Sequence, residues 1–468
     1  MSTQDRATME VEAMQAEGSA WREDGVSRMR GCEIQYMPPQ ICGVEEIELY
    51  RKGGYHPVLL RDEIRDGQYQ IIHKLGHGGF ATVWLARDTI EERYVAIKII
   101  MADASENAMD IDIKITKHLR ERASPYSGSR YIDIPIEHFW ITGPNGNHLC
   151  IVSEVAGPSI ARLSQARLLN EDITTSGLQN AQIISLQIAQ SLEFLHSPEV
   201  GIAHGDLTSS NVLLELENLD VMSPEELIKL FGKPVREQMQ AYAQYEMDAS
   251  APKFIYEAAD AMRLLPYCTG NIKIIDFGAS YFLNNPPAGL ATPVNSCAPE
   301  YLRGGKFGKE CDVWAFANTL FEIRSGYPLI TQLMGGGEEA LIQIQTMLGS
   351  LPPRANNGKT RRGARFDQPL LKTWISDIRN STTKRYEKKQ SKTSLFKSSM
   401  SNIRKGARKC RKWLTQANLS TEAKAPPKIA PEEAEQFHDL LCKLFDYDVE
   451  KRLTMAEVWK HTWFTMIL

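Results

Sequence analysis

The stretch AHGDLTSSNVLL, Ala203 to Leu214, sets His204 two residues before Asp206 and Asn211 five residues after it. A carboxylate at Asp206 can orient a hydroxyl and take its proton, while the amide oxygen of Asn211 can ligate a divalent cation. Further on, NIKIIDFGAS ends an apolar run on Asp276, a second carboxylate suited to hold Mg²⁺ against phosphates. Upstream, LGHGGFATVWLA carries Gly76, His77, Gly78, Gly79 and Val83, a turn whose backbone amides can approach phosphate closely. Its third glycine position is Ala81, so by itself this is a weak signal. Fifteen residues after Val83, Ala96 and Lys98 close VAIK and deliver one ammonium from an apolar strand, fit to grip the α- and β-phosphates. Glu154 and Ala156 complete the expected nucleotide-contacting set. The chemistry implied is phosphoryl transfer from ATP with Mg²⁺, with Asp206, Lys98 and Asn211 as the catalytic groups and Asn211 and Asp276 as the metal ligands.

These groups work only if rigid elements hold them in register. From QYQIIHKLG onward, short apolar runs alternate with turn residues, as in YVAIKII (94–100), the pattern of a small antiparallel sheet. Beyond residue 155 the period changes. In NAQIISLQIAQSLEFLHS, Ile184, Ile188, Leu192 and Leu195 fall on one helical stripe. A sheet followed by helices predicts an α+β fold of two lobes around a cleft, about 46–154 and about 155–468.

Two stretches interrupt this plan. Residues 215–270 include a helix start, with Ser223 as cap, Pro224 in the first turn and Glu225 and Glu226 favouring its dipole. Residues 353–430 are rich in Lys, Arg, Ser and Thr; from Ser381 to Lys412, twelve basic residues face one acidic residue, Glu387. That composition reads as a solvated insertion, with a nuclear address or a nucleic-acid role as the sharper alternative. Residues 1–45 are polar and aperiodic, the mark of a flexible arm.

Composition narrows the classes further. The 468 residues carry a net charge of −4, which gives no global attraction to nucleic acid or anionic membranes. No run approaches the roughly 18 uncharged apolar residues of a membrane span, and the N-terminus lacks the apolar core of a secretory signal. Eight cysteines without a C-x-x-C pair indicate reduced thiols. A cytoplasmic or nuclear monomer is expected, with no membrane partner and no direct nucleic-acid binding.

In chain order, the glycine turn, VAIK, His-x-Asp-x₄-Asn and Asp-Phe-Gly reproduce the frame of a protein kinase, which makes the expected architecture the bilobal protein-kinase fold. Such an enzyme needs a carboxylate on the helix after VAIK to hold Lys98. NAMDIDIKITKHLRER offers Asp112, with Asp110 as runner-up, each one methylene shorter than the usual Glu. SCAPEYL supplies Glu300, CDVWAFANTLFE supplies Asp312, and DYDVEKRLTMAEVWKHTWF supplies Arg452, the expected buried partner of Glu300. These three build a platform for a polypeptide, so the acceptor is expected to be a protein hydroxyl.

One stretch narrows the family. YRKGGYHPVLLRDEIRDGQYQIIHKLGHGGFATVWLARD (50–88) resembles the opening of the SR-protein-specific kinases, with their K-G-G-Y-H leader at Lys52 to His56 and TVWLA after the glycine turn. The long spacer before Asp-Phe-Gly and Ala317 in the helix after Asp312 fit as well. The resemblance covers about 45–350 and 431–468 and is that of a divergent, fungal-type member. It implies a serine/threonine kinase acting on Arg/Ser-rich proteins, often splicing factors.

Two residues depart from the common loop. Gly205 replaces an Arg that receives an activation-loop phosphate in many kinases, so activity is expected without such a phosphate; Thr292 is the nearest candidate for the platform threonine. Thr208 replaces a Lys that neutralises charge on the transferred group. With Asp112, these departures motivate an alternative, a nucleotide-binding pseudokinase scaffold with weak or no catalysis. A small-molecule phosphotransferase ranks third, disfavoured by Glu300, Asp312 and Arg452. Ser153, a small residue at the back of the expected nucleotide pocket, would widen that pocket.

Overall fold

The computed structural model describes residues 34–465, apart from 125–126, 169–177, 306, 332–335, 353–369 and 379–427 and the side chains of Asp110, Asp112, Arg167, Leu168, Leu178 and Gln179. The first lobe runs through strands β1 (Glu63–Ile64), β2 (Tyr69–His77), β3 (Ala81–Asp88) and β4 (Arg93–Ile100), helix α1 (Ala102–Arg122), and strands β5 (Glu137–Gly143) and β6 (Gly146–Glu154). All six strands join one antiparallel sheet in the order β1-β2-β3-β4-β6-β5. Period-2 alternation sorts its two faces. Trp84, Val95, Ile97, Ile99 and Val152 bury one face in an apolar cluster. The other face carries the half-buried Val83, Ala96, Lys98 and Ser153, because Val83 pairs with Lys98 and Ala96 with Ser153.

The second lobe begins with α2 (Ile160–Leu168) and α3 (Leu178–His196), followed by β7 (Ile202–Ala203), β8 (Val212–Leu216) and α4 (Pro224–Phe231). Next come β9 (Arg236–Gln238), β10 (Phe254–Tyr256), β11 (Cys268–Ile274), β12 (Tyr281–Phe282), α5 (Pro299–Leu302) and α6 (Lys309–Ser325). It closes with α7 (Gly337–Leu348), α8 (Leu371–Ser376), α9 (Pro431–Leu444), α10 (Met455–Val458) and α11 (Thr462–Thr465). Helix α6 is buried on every side, including Trp314, Phe316 and Phe321, and forms the pillar of the larger core. The expected α+β architecture of two lobes is therefore the observed one. Among the described residues, no helix is long and apolar enough to cross a membrane.

Helix α4 starts where its sequence indicates. Ser223 and Glu226 form a reciprocal capping box, the Glu226 N–H donating to Ser223 Oγ at 3.2 Å and the Ser223 N–H to Glu226 Oε2 at 2.9 Å. Leu227 and Phe231 then cover Leu85 and Tyr94 of the sheet. The hairpin of β9 and β10 in the same insertion had no local signal.

Two boundaries need correction. The expected flexible arm reached residue 45, yet 34–45 pack against the first lobe, while 1–33 lie outside the described residues. Met37 N–H donates to Gln240 O and Tyr242 N–H to Gln35 O, so this segment is held by a partner some 200 residues away that no local pattern reveals. The buried Lys74 ammonium is paired with Glu45, which also accepts from the Tyr50 hydroxyl. The second correction concerns 353–430. Its basic run lies outside the described residues, but α8 within it belongs to the core, with Leu371, Ile375 and Ile378 each 1 % exposed. Ile429 N–H donates to Ile378 O at 2.8 Å, so the chain leaves and re-enters the lobe at one point.

Two stability outcomes follow. Joining Ile378 to Lys428 through a short Gly-Ser turn, with 379–427 removed, should leave the melting temperature unchanged, whereas a deletion extended through Leu371 should lower it sharply. Lys74→Met strands the Glu45 charge in the interior and should cost about 3–5 kcal/mol in denaturant unfolding, much of it recovered when Glu45 is also made Leu.

Candidate active site

The loop between β7 and β8 hangs from α6. Asp312, 2 % exposed in the first turn of that helix, accepts from the His204 N–H at 2.8 Å and the Gly205 N–H at 3.0 Å. His196, the last residue of α3, donates to the same carboxylate from Nε2 at 2.9 Å. Burial alone would raise the Asp312 pKa; these donors outweigh it and lower the group, keeping it ionised. His204 is fully buried and its pKa falls through desolvation, so it stays neutral, with Nδ1 accepting from the Asp206 N–H at 3.2 Å.

This frame presents Asp206 to the cleft. Asn211 Nδ2 donates to the Asp206 backbone carbonyl at 2.8 Å and to its Oδ2 at 3.1 Å. Oδ1 is buried with no hydrogen-bond partner among the described residues. Burial, and then the charge of Asp276, push the carboxyl up to about 7. Asp276 stands opposite, after β11, in the left-handed region with φ of 65°. Its Oδ1 is 2.7 Å from the Lys98 ammonium, which holds the carboxyl below its usual range. Asp206, Asn211, Asp276 and Lys98 thus converge on one cleft.

The remaining expected residues fall into place around them. Gly78 N–H donates to Ala81 O at 2.8 Å to close the glycine turn, and Gly76, Gly78 and Gly79 face open space. His77 is exposed at the end of β2. Val83 and Ala96 share the cleft face with Lys98, while Glu154, at the end of β6, pairs with Lys273 at 3.2 Å and leads to Ala156. Asp110 and Asp112 lie on α1, and their side chains fall outside the described residues. Glu300 and Arg452 are joined by two bonds of 2.7 and 3.0 Å, and Arg452 also donates to the Glu310 carbonyl at 2.9 Å.

The structure explains Gly205 directly. Its φ is +76°, and an added Cβ would fall on the Ala279 carbonyl oxygen. The Thr292 hydroxyl donates to the Gly205 carbonyl, tying the activation segment to the loop. Thr208, half-buried, lines a cavity of about 340 Å³ beside Asp206, together with Pro293, Asn295 and Ser296. Sequence reasoning missed His196, Ser280 and Tyr55. Ser280 Oγ donates to the His204 carbonyl at 2.8 Å, and the Tyr55 hydroxyl to the Gly78 carbonyl at the glycine turn, also at 2.8 Å. Tyr55 lay in plain view within the K-G-G-Y-H leader; His196 and Ser280 carry no local signal.

Comparison with known proteins agrees with this geometry. The family described as protein tyrosine and serine/threonine kinase matches residues 69–333, and the protein kinase domain matches 263–464. Protein kinase dsk1 of Schizosaccharomyces pombe is 36% identical over 171 residues, 36% of this chain and 30% of that protein. Serine/threonine-protein kinase SKY1 of Saccharomyces cerevisiae is 30% identical over 213 residues, 44% of this chain and 28% of its own length. SRSF protein kinase 3 of Homo sapiens is 34% identical over 173 residues, 36% and 29% of the two chains. The chain thus spans less than a third of the length of these relatives. With a family match across more than half its length and the phosphoryl-transfer residues gathered in one cleft, this chain belongs to the protein kinase family.

Proposed function

We propose that the chain is an ATP- and Mg²⁺-dependent serine/threonine protein kinase acting on Arg/Ser-rich proteins. The convergence of Asp206, Asn211, Asp276 and Lys98 carries this reading. The donor set fits a divalent cation: Asn211 commits its Nδ2 to Asp206, leaving its amide oxygen, and Asp276 adds a carboxylate, both hard oxygen ligands. Mg²⁺, when bound there, neutralises phosphate charge. Asp206 orients the acceptor hydroxyl and takes its proton, and its unpartnered Oδ1 is the atom available for that role. Lys98 is the ammonium placed to pair with phosphate oxygens. Thr208 offers a hydroxyl where a charge would help more, so turnover should sit at the low end of the roughly 1–100 s⁻¹ usual for kinases.

Two observations support a basic protein substrate. Glu322 lines both the cavity beside Asp206 and a neighbouring one of about 420 Å³, where it offers a carboxylate near the acceptor position. Relatives named as SRSF protein kinase and SRPK align with this chain. The reading as a scaffold without catalysis finds no support in the relatives, which are named as kinases.

Asp206→Asn should abolish transfer of labelled phosphate to an Arg/Ser-repeat protein while nucleotide binding persists. Asp276→Asn should remove the Mg²⁺-dependent part of that binding. Wild-type activity in the Asp206 variant would refute the assignment. Because Thr292 and Ala279 hold the loop at Gly205 without a phosphate, phosphatase-treated protein should retain the kcat/KM of untreated protein; a large loss would show that a modification at Thr292 or Ser296 is needed.

A further inference from the structure

The leader before the sheet carries a tyrosine that touches no reacting group yet reaches the glycine turn. Tyr55 is 1 % exposed, and its hydroxyl donates to the Gly78 carbonyl at 2.8 Å. The tyrosine is itself held from several sides. Its N–H donates to Leu49 O at 2.9 Å, its carbonyl accepts from Asn145 Nδ2 at 2.6 Å, and its ring centre lies 5.7 Å from that of Tyr50. Gly54, just before it, fits only without a side chain, since a Cβ there would fall on the Leu49 carbonyl. The hydroxyl is therefore presented by a rigid anchor.

Its partner sits in the tip that joins β2 to β3, Gly78-Gly79-Phe80-Ala81, where the Gly78 N–H donates to Ala81 O at 2.8 Å. In a planar trans peptide, the carbonyl of one residue and the N–H of the next point in opposite directions. Past His56 the chain runs over the face of the sheet away from the cleft, where Val58 joins Trp84, Val95 and Ile97. Drawing the Gly78 carbonyl to that side turns the Gly79 N–H toward the cleft, where phosphate oxygens accept hydrogen bonds. A flip of this one peptide unit would instead set a carbonyl against phosphate. Two glycines flank the bond, and a Cβ added to either would meet nothing within 4 Å, so side-chain sterics do not oppose the flip. Neither glycine lies at positive φ. The flip carries the φ of Gly79 into that region, which alanine enters only at a cost.

We propose that Tyr55 is a positioning residue for the nucleotide phosphates: its hydroxyl locks the Gly78–Gly79 peptide with the N–H toward the cleft and so sets the affinity for ATP. The proposal rests on reading the cleft as an ATP site. Tyr55 reaches neither the acceptor nor Asp206, so its effect falls on nucleotide binding and spares the transfer step. Because the turn acts on phosphate alone, the effect requires a phosphate on the ligand.

The test is Tyr55→Phe in the full chain, which removes the hydroxyl and keeps the ring. The KM for ATP and the Kd for ADP should each rise about fivefold, the ratio given by one neutral hydrogen bond, with kcat retained. The Kd for adenosine, which has no phosphate, should stay at the wild-type value and reports that the cleft is intact. Adding Gly79→Ala to the Phe variant should recover much of the lost ADP affinity, because alanine disfavours the flipped peptide. A merely structural role would weaken adenosine as well and gain nothing from the alanine. Unchanged ADP affinity in Tyr55→Phe, an equal loss for adenosine, or no recovery in the double variant overturns the positioning role. A wild-type chain that binds neither ADP nor adenosine would instead remove the nucleotide reading, and the proposal with it.

Discussion

A single buried carboxylate, that of Asp312, fixes the geometry on which catalysis rests. It accepts two consecutive backbone N–H groups and the His196 imidazole. Removing it would leave three buried donors unpaired, each costing about 1–3 kcal/mol. Because Asp312 sits in the first turn of a helix buried all round, the loop bearing Asp206 inherits the rigidity of the core instead of the mobility of a surface segment. The same helix end receives Arg452, which bonds both the Glu310 carbonyl and Glu300. One helix terminus thereby sets the catalytic loop and the end of the activation segment relative to each other.

The first lobe is organised from outside its sheet. The leader carries Tyr55, whose hydroxyl holds the glycine turn, and Gly53 and Gly54, whose carbonyls accept the first N–H groups of α1 at 2.8 and 3.1 Å. Those two N–H groups are among the unpaired donors of any helix start, here satisfied by backbone instead of a capping side chain. Glu45 and Lys74 lock the leader to β2 from beneath. Glycine turn, α1 and the strand carrying Lys98 are consequently braced by one short segment and the β9–β10 hairpin packed on it.

Backbone conformation completes the site. Asp276 lies in the left-handed region that non-glycine residues rarely occupy, a conformation that costs energy and is offset by its ion pair with Lys98. Gly205 occupies the same region at no steric cost, which frees the loop to pack against Ala279 and Thr292. The residue that reads as a loss of regulation in the sequence is, in the fold, the one that lets the activation segment close on the catalytic loop.

What the sequence determined by itself was whatever depends on local spacing. Period-2 runs and the 3.6-residue stripe fixed sheet before helices, hence two lobes; the positions of Asp206, Asn211, Asp276 and Lys98 followed from motifs whose chemistry demands those residue types in that order. The capping box at Ser223 was legible for the same reason. Tertiary structure alone decided the rest. Residues 34–45 look flexible because they show neither a strand nor a helix period, yet a backbone ladder to residues 240–242 and the Glu45–Lys74 pair hold them. Helix α8 is too short to announce itself within a basic stretch, and only the core shows where Leu371 and Ile375 go. His196 and Asp312 are 116 residues apart, and no local pattern encodes which distant polar groups meet. Such pairings are set by the packing of the elements that carry them, which exists only once the chain has folded.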